Sequence, residues 1–364
     1  MTSDKSPVFL TAALGDPALV ARVLGLSDLP RLVVVQNIAA SSGVGFPRLQ
    51  DAPGAELTGT LLAHTPERLG FLMDCLGLEA TQIPLEISGA DPVLATTYAG
   101  EVENLAPEAL GDPALLAETF DEIMWHFRRR PAKDVRRFVS QFFVRARARL
   151  AALDHAPQSI RQGHGAVRLQ ALERPYLGYF SIEERDLRFP RFDGDYSEPV
   201  HRAGLMVPDA VTVLPYDPQS DLVLLIEQFR YGPFMRGDPV PWQLEAIAGH
   251  VDPGETCEET AIREAREEAG LTLNGLEKIG GYYSSPGAFS EYLTGYIGFV
   301  DLSTFAESVH GLAVEAEDIR AFTLPFADLM AAVENGEVDN GPLLISALWL
   351  ARHRERLRAN SATP

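Results

Sequence analysis

Residues 249–271 read Gly-His-Val-Asp-Pro-Gly-Glu-Thr-Cys-Glu-Glu-Thr-Ala-Ile-Arg-Glu-Ala-Arg-Glu-Glu-Ala-Gly-Leu. No other stretch of the chain is as restrictive. Thr256 with Glu259 three residues on forms a capping-box signal. Ala261, Ile262, Ala265 and Ala269 make an apolar stripe, and Gly270 is a C-terminal stop. The spacing predicts a helix over 257–269. Glu264 and Glu268, four apart, share a face with Glu267 beside them, and like charges at that spacing repel. Glu267 and Glu268 also fall in the last turn, where the helix dipole disfavours anions. Such a placement gains nothing in stability unless a cation binds. Carboxylates without His or Cys suit hard divalent ions, Mg²⁺ or Mn²⁺. Arg263 can pair with Glu255 or Glu267 and orient the ligands from behind.

A solvated acidic face would explain the glutamates alone. The full pattern is more demanding: Gly249, five residues, Glu255, seven residues, Arg263-Glu264, an apolar residue, any residue, Glu267-Glu268, any residue, Gly270 and an apolar residue. Its fixed letters give a chance match on the order of 10⁻⁸ per starting position at average residue usage. The stretch resembles the Nudix box, complete and without a departure. The resemblance implies an α/β/α sandwich with a mixed sheet, and hydrolysis of a nucleoside diphosphate linked to another group. It assigns metal binding to Glu264, Glu268 and the carbonyl of Ala248, a metal or catalytic role to Glu267, and structural roles to Gly249, Glu255, Arg263 and Gly270. Metal ions would neutralise and polarise a pyrophosphate and let an acidic protein hold an anionic substrate.

The flanks from Tyr176 to Arg358 resemble the bacterial ADP-ribose pyrophosphatases. The features are Trp242-Gln-Leu-Glu-Ala-Ile-Ala-Gly249, Ser285-Pro286-Gly287, Ser290-Glu291, the second acidic loop His310-Gly-Leu-Ala-Val-Glu315-Ala-Glu317-Asp318-Ile319, and Gly336-Glu-Val-Asp-Asn340. A water attacking phosphorus needs a base outside the metal shell. By resemblance Glu315 is that base and Glu317 a further metal ligand. Tyr179 matches an aromatic that stacks on adenine, Arg202 and Arg230 match arginines for phosphates and ribose, and Glu291 matches a group at the terminal ribose or a metal-bound water. The resemblance implies a homodimer with ADP-ribose as substrate, AMP and ribose 5-phosphate as products, and Mg²⁺ (or Mn²⁺) as cofactor. Another diphosphate, such as a nucleotide sugar or NADH, is the alternative substrate. A sensor that binds ADP-ribose without cleaving it is the alternative from a different class.

Length predicts two domains. Loss of periodicity at Asp154–Gly165 marks a linker, which gives domains 1–153 and 166–364. Residues 8–110 resemble the gamma-glutamylcyclotransferase-like fold, a smaller α/β barrel, through Val8-Phe-Leu-Thr-Ala-Ala-Leu14, Asp16-Pro17 opening a helix, Leu57-Thr-Gly-Thr-Leu-Leu62 and Thr65-Pro-Glu-Arg-Leu69. The family's first loop has lost its tyrosine and glycine here. Leu76 stands where the catalytic glutamate belongs, so no general base is present for cyclotransfer. Fused pairs of this kind resemble proteins labelled as tellurite-resistance factors. The fold class is therefore α/β (α+β) in two domains.

Residues 113–152 predict two helices broken at Pro131. Nine of the 31 basic residues lie between Arg128 and Arg149, read as a solvated face that also meets acidic surface of the other domain. With a net charge of -20, the chain is a poor general binder of nucleic acid or anionic membrane. Two cysteines are too few for a disulfide framework. The N-terminus lacks a signal-peptide pattern and no run is long enough to span a bilayer, so a cytoplasmic location is expected.

Overall fold

The computed structural model describes residues 6–41, 45–102, 105, 107–153, 160–161, 163, 165–312 and 317–361. It divides into two compact units, Met1–Ala203 and Gly204–Pro364. The division falls later than the expected linker: the first two strands after that linker group with the first unit, and the third, Val200–Met206, runs across the boundary. Residues 154–159, 162 and 164 of the linker lie outside the described residues.

In the first unit, β1 (Val8–Leu10), β2 (Arg31–Ala40), β3 (Leu49–Leu62), β4 (Glu79–Ile87) and β5 (Val93–Ala99) close a barrel in the order β1-β3-β2-β4-β5. The strand β1 pairs antiparallel with β3 and parallel with β5. Alternation along β1 serves two cores: Phe9 packs inside the barrel with Val33, Val35 and Leu85, while Val8 and Leu10 face the helices. Those helices are α1 (Pro17–Leu24), α2 (Glu67–Leu76), α3 (Pro113–Trp125), α4 (Ala132–Arg136) and α5 (Val139–Ala151). Asp16 caps α1 by accepting the Leu19 N–H at 2.8 Å, with Pro17 at the first position as the sequence predicts. Leu76 is 2% exposed in the helix-side core.

Two sequence expectations are corrected here. The segment 113–152 forms three helices, not two. The Phe138 N–H turns back to the Val135 carbonyl at 3.0 Å, and the extra break lets Val135, Val139 and Phe142 all enter one core. Nor is the basic run wholly a solvated face. Arg145 is 0% exposed and grips Glu122 of α3, itself 2% exposed, at 2.6 Å; Arg149 reaches the other oxygen of Glu122 at 2.8 Å. These acidic partners come from the same unit. The remaining strands β6 (Arg168–Leu177), β7 (Ser181–Arg188) and β8 (Val200–Met206) form a separate sheet. Arg130 donates to the Pro175 carbonyl at 3.1 Å, and Arg174 lies over the Trp125 ring at 5.3 Å, which ties β6 to α3.

The second unit is built on β9 (Ala210–Asp217), β10 (Leu222–Phe229), β11 (Trp242–Glu245), β12 (Ile247–His250), β13 (Gly275–Tyr283), β14 (Tyr292–Phe299), β15 (Ser308–His310) and β16 (Ile319–Pro325). The sheet order is β13-β14-β9-β10-β16-β15, with β11 on β10 and β12 on β9. It is mixed, since β14 runs parallel to β9. Helices α6 (Tyr231–Arg236), α7 (Cys257–Ala269), α8 (Phe326–Asn335) and α9 (Gly341–Ser361) complete the unit. Val211 and Val213 of β9 face the alanines of α7. Leu214 and Tyr216 face Leu329 of α8 and Leu343, Ala347 and Leu350 of α9. Every residue of β9 is buried, as a central strand covered on both faces requires. This is the expected α/β/α sandwich. No helix among the described residues is long and apolar enough to cross a membrane.

Candidate functional site

Helix α7 begins and ends where its caps dictate. Thr256 Oγ1 accepts the Glu259 N–H at 3.2 Å, and Glu259 returns the bond by accepting the Thr256 N–H at 2.8 Å. Gly270 ends the helix at φ +63°, the left-handed conformation that glycine adopts without strain. Ala261, Ala265 and Ala269 are buried, but Ile262, expected on the same stripe, is 41% exposed. One residue further round the helix carries it off the buried face.

Arg263 organises the acids. Its Nε and Nη2 donate to the two oxygens of Glu255, each at 3.0 Å, and Nη2 also reaches the His250 carbonyl at 3.2 Å. Its Nη1 donates to Glu264 at 2.7 Å and Glu267 at 2.9 Å. One guanidinium thus ties the loop before the helix to two of the three clustered glutamates. Glu268 is 3% exposed and accepts the Ala248 N–H at 3.1 Å. A Cβ on Gly249 would stand 1.8 Å from Glu264 Oε1, so only glycine leaves the carboxylate room.

Burial pushes the Glu264 carboxyl up to about 7; Arg263 opposes that rise, and Glu267 and Glu317 add to it. Burial also holds Glu268 well above its ordinary value, against the Ala248 N–H and with repulsion from Glu264 and Glu317. Glu317 is turned to the Leu312 N–H at 3.0 Å. Among the described residues, no three His, Cys, Asp or Glu side chains are gathered at metal-holding distance. Each carboxylate instead turns to a nearby donor, as mutually repelling anions do. The donor set still suits a hard cation: a buried carboxylate (Glu268) and a part-buried one (Glu264) of like charge are an unfavourable pair that a divalent ion would neutralise.

The other expected site residues are placed as follows. Arg230, at the start of α6, is half-buried and held by Glu245 at 2.6 Å. Burial works against its charge, while Glu245, Glu268 and Glu317 raise its pKa, so it belongs to the constellation. Glu291 follows Ser290, which exchanges bonds with the Val207 backbone at 2.8 Å, and its charge acts on Tyr282 of β13. Tyr179, 52% exposed and edge-on to Phe180 at 4.9 Å, and Arg202, which donates to the His201 carbonyl at 2.9 Å, belong to the first unit. Glu315 and the Ala313–Ala316 segment lie outside the described residues. Sequence reasoning gave no role to Glu245, 5% exposed. Its signal was a carboxylate in a strand, a place where Glu is depleted.

Residues 206–344 match the NUDIX domain. The ADP-ribose pyrophosphatase of Escherichia coli K12 is 37% identical over 196 residues, 54% of this chain and 93% of the relative. The chain belongs to the Nudix family. It is a hydrolase acting on pyrophosphate bonds. The ADP-ribose pyrophosphatase of Haemophilus influenzae is 35% identical over 50% of this chain and 85% of its own length. The GDP-mannose pyrophosphatase of Pectobacterium atrosepticum is 34% identical over 38% and 69%. A crystal structure described as an ADP compounds hydrolase is similar at 22% identity and a TM-score of 0.40, covering 54% of this chain and 98% of that one. The 196-residue match is longer than the second unit, so the likeness takes in part of the first.

Within this Nudix site, Gly249→Ala must displace Glu264. Turnover is expected to fall on the order of 100-fold, measured as product release, while the melting temperature stays within a few degrees. Wild-type turnover would show that Glu264 has no need of this position.

Proposed function

We propose that the chain is a Mg²⁺-dependent hydrolase that cleaves the diphosphate of ADP-ribose to AMP and ribose 5-phosphate. The observation that carries the chemistry is the pairing of part-buried Glu264, packed against Gly249 and bonded by Arg263, with buried Glu268, which accepts the Ala248 N–H. Substrate choice rests on the ADP-ribose pyrophosphatases, which this chain matches over most of their length. Glu264, Glu268, Glu317 and the Ala248 carbonyl would hold the ion. Bound there, Mg²⁺ supplies charge neutralisation and Lewis acidity at the diphosphate. Arg230 orients a phosphate, and Arg263 keeps Glu264 in place. Glu315 takes the proton of the attacking water, with Glu267 beside the site. A water oxygen joins one phosphorus as the bridging P–O bond breaks.

Tyr179, Arg202 and Glu291 would complete adenine, phosphate and ribose binding in a cytoplasmic homodimer. The Nudix enzyme would begin near residue 166, after a linker over 154–165. Residues 1–153 would be a gamma-glutamylcyclotransferase-like module without cyclotransferase chemistry. The GDP-mannose pyrophosphatases among the relatives favour a nucleotide sugar as the second reading.

The test is product analysis after incubation with ADP-ribose, with and without Mg²⁺. AMP and ribose 5-phosphate formed only with Mg²⁺ is the expected result. Cleavage of GDP-mannose but not ADP-ribose would replace the substrate. Binding of ADP-ribose without product would replace the enzyme by a sensor.

A further inference from the structure

Glu245 closes β11, opposite Ile226 of β10, and is almost wholly shielded from solvent. It accepts from three directions. Arg230 donates through Nε at 3.0 Å and Nη2 at 2.6 Å to Oε2, and through Nε at 3.1 Å to Oε1. Gln228 donates at 3.2 Å and Asn340 at 2.9 Å. Asn340 in turn holds the first turn of α9 by accepting the Leu343 N–H at 3.1 Å. A strand, the start of α6 and the turn before α9 therefore converge on one carboxylate.

That convergence has an electrostatic purpose. Arg230 also lies in the field of Glu268 and Glu317. Without Glu245, these would be its strongest neighbours. A guanidinium swung toward them would offset charge needed by the cation and turn away from the substrate. The two-pronged grip fixes the Nε–Nη2 edge. The Nη1 corner makes no hydrogen bond among the described residues.

We propose that Glu245 is a positioning residue, anchoring one edge of Arg230 so that Nη1 meets a phosphate oxygen of the diphosphate. The proposal rests on the pyrophosphate-hydrolase reading of this site. The test is a double-mutant cycle in the full chain, with Mg²⁺ and ADP-ribose. Glu245→Gln is expected to raise KM roughly 10- to 100-fold, the worth of a charge-assisted bond, with kcat changed by less than about threefold. Arg230→Ala should do the same, and the double variant should be no worse than Arg230→Ala alone. Additive losses, or a fall in kcat at unchanged KM, overturn the proposal. Should Glu245→Gln not fold, Arg230→Lys keeps the charge but loses the grip; it should show the same rise in KM, and a wild-type KM there overturns the proposal. If the wild type leaves ADP-ribose intact, the substrate reading fails by itself. The same cycle is then read by calorimetric titration with ADP and Mg²⁺. Non-additive loss of affinity supports the proposal and additive loss overturns it.

Discussion

Glu264→Gln is expected to lower ADP-ribose turnover by at least about 10³-fold and, in chelator at pH 8, to make the protein more stable. The two effects share one cause. The folded carboxyl titrates at about 7, against an ordinary 4.5, because burial and neighbouring acids disfavour its charge. The folded state therefore binds more protons than the unfolded state between these values. Stability falls as pH rises through that window, and the penalty is complete above it. It amounts to about 3 kcal/mol. Glutamine carries no charge and escapes it, so the metal-free melting temperature should rise by roughly 5 to 10 °C at pH 8 and little at pH 4. Mg²⁺ should stabilise the wild type at pH 8 and the variant much less. Thermal unfolding with and without Mg²⁺ reads all of this. Normal hydrolysis by the variant would overturn the metal assignment. A lower melting temperature at pH 8 would overturn the electrostatic account.

The second large effect is in the first unit. Glu122→Ala should cost about 3 to 5 kcal/mol, since it leaves a buried guanidinium without its counter-charge. Burial alone would raise the Glu122 pKa, but Arg145, Arg149 and Arg174 outweigh it and hold the carboxyl below its ordinary value. Its contribution is thus present above pH 4.5 and lost as pH falls through the lowered value. Replacing both partners, Glu122→Leu with Arg145→Met, should recover most of the loss. Denaturant titration followed by the fluorescence of Trp125, which packs beside Arg174, measures both. Equal destabilisation by the single and double variants would show that the loss comes from packing and not from the charge.

These two clusters also mark what could be read from sequence. The helix α7 was legible to the residue because its signals are local: Thr256 and Glu259 cap one end and Gly270 ends the other. Asp16 and Pro17 made α1 legible for the same reason. Glu122 and Arg145 lie on different helices, and neither residue announces the other. Only packing makes them a pair and turns part of an apparent surface face inward. The extra break at Phe138 has the same origin, since core demand overrides the helix-forming pattern on either side. In the site, Glu264, Glu268 and Arg263 were legible through their spacing. The grip of Glu245 on Arg230 was not, because strand pairing creates it. The division into units lies beyond the expected linker, since periodicity reports loops, whereas contacts such as Arg174 over Trp125 report association.

The parallel pairing of β14 with β9 has a consequence for how the protein is made. Ala210 aligns with Leu293, and everything from β10 to β13, the carboxylate helix included, lies in the intervening loop. A parallel partner cannot be supplied by a neighbouring hairpin. A nascent chain that has not yet released Leu293 therefore lacks the strand on one flank of β9, beneath the acidic helix. The catalytic scaffold is completed from the C-terminal side, and a chain cut short before β14 carries the whole box motif on an incomplete sheet.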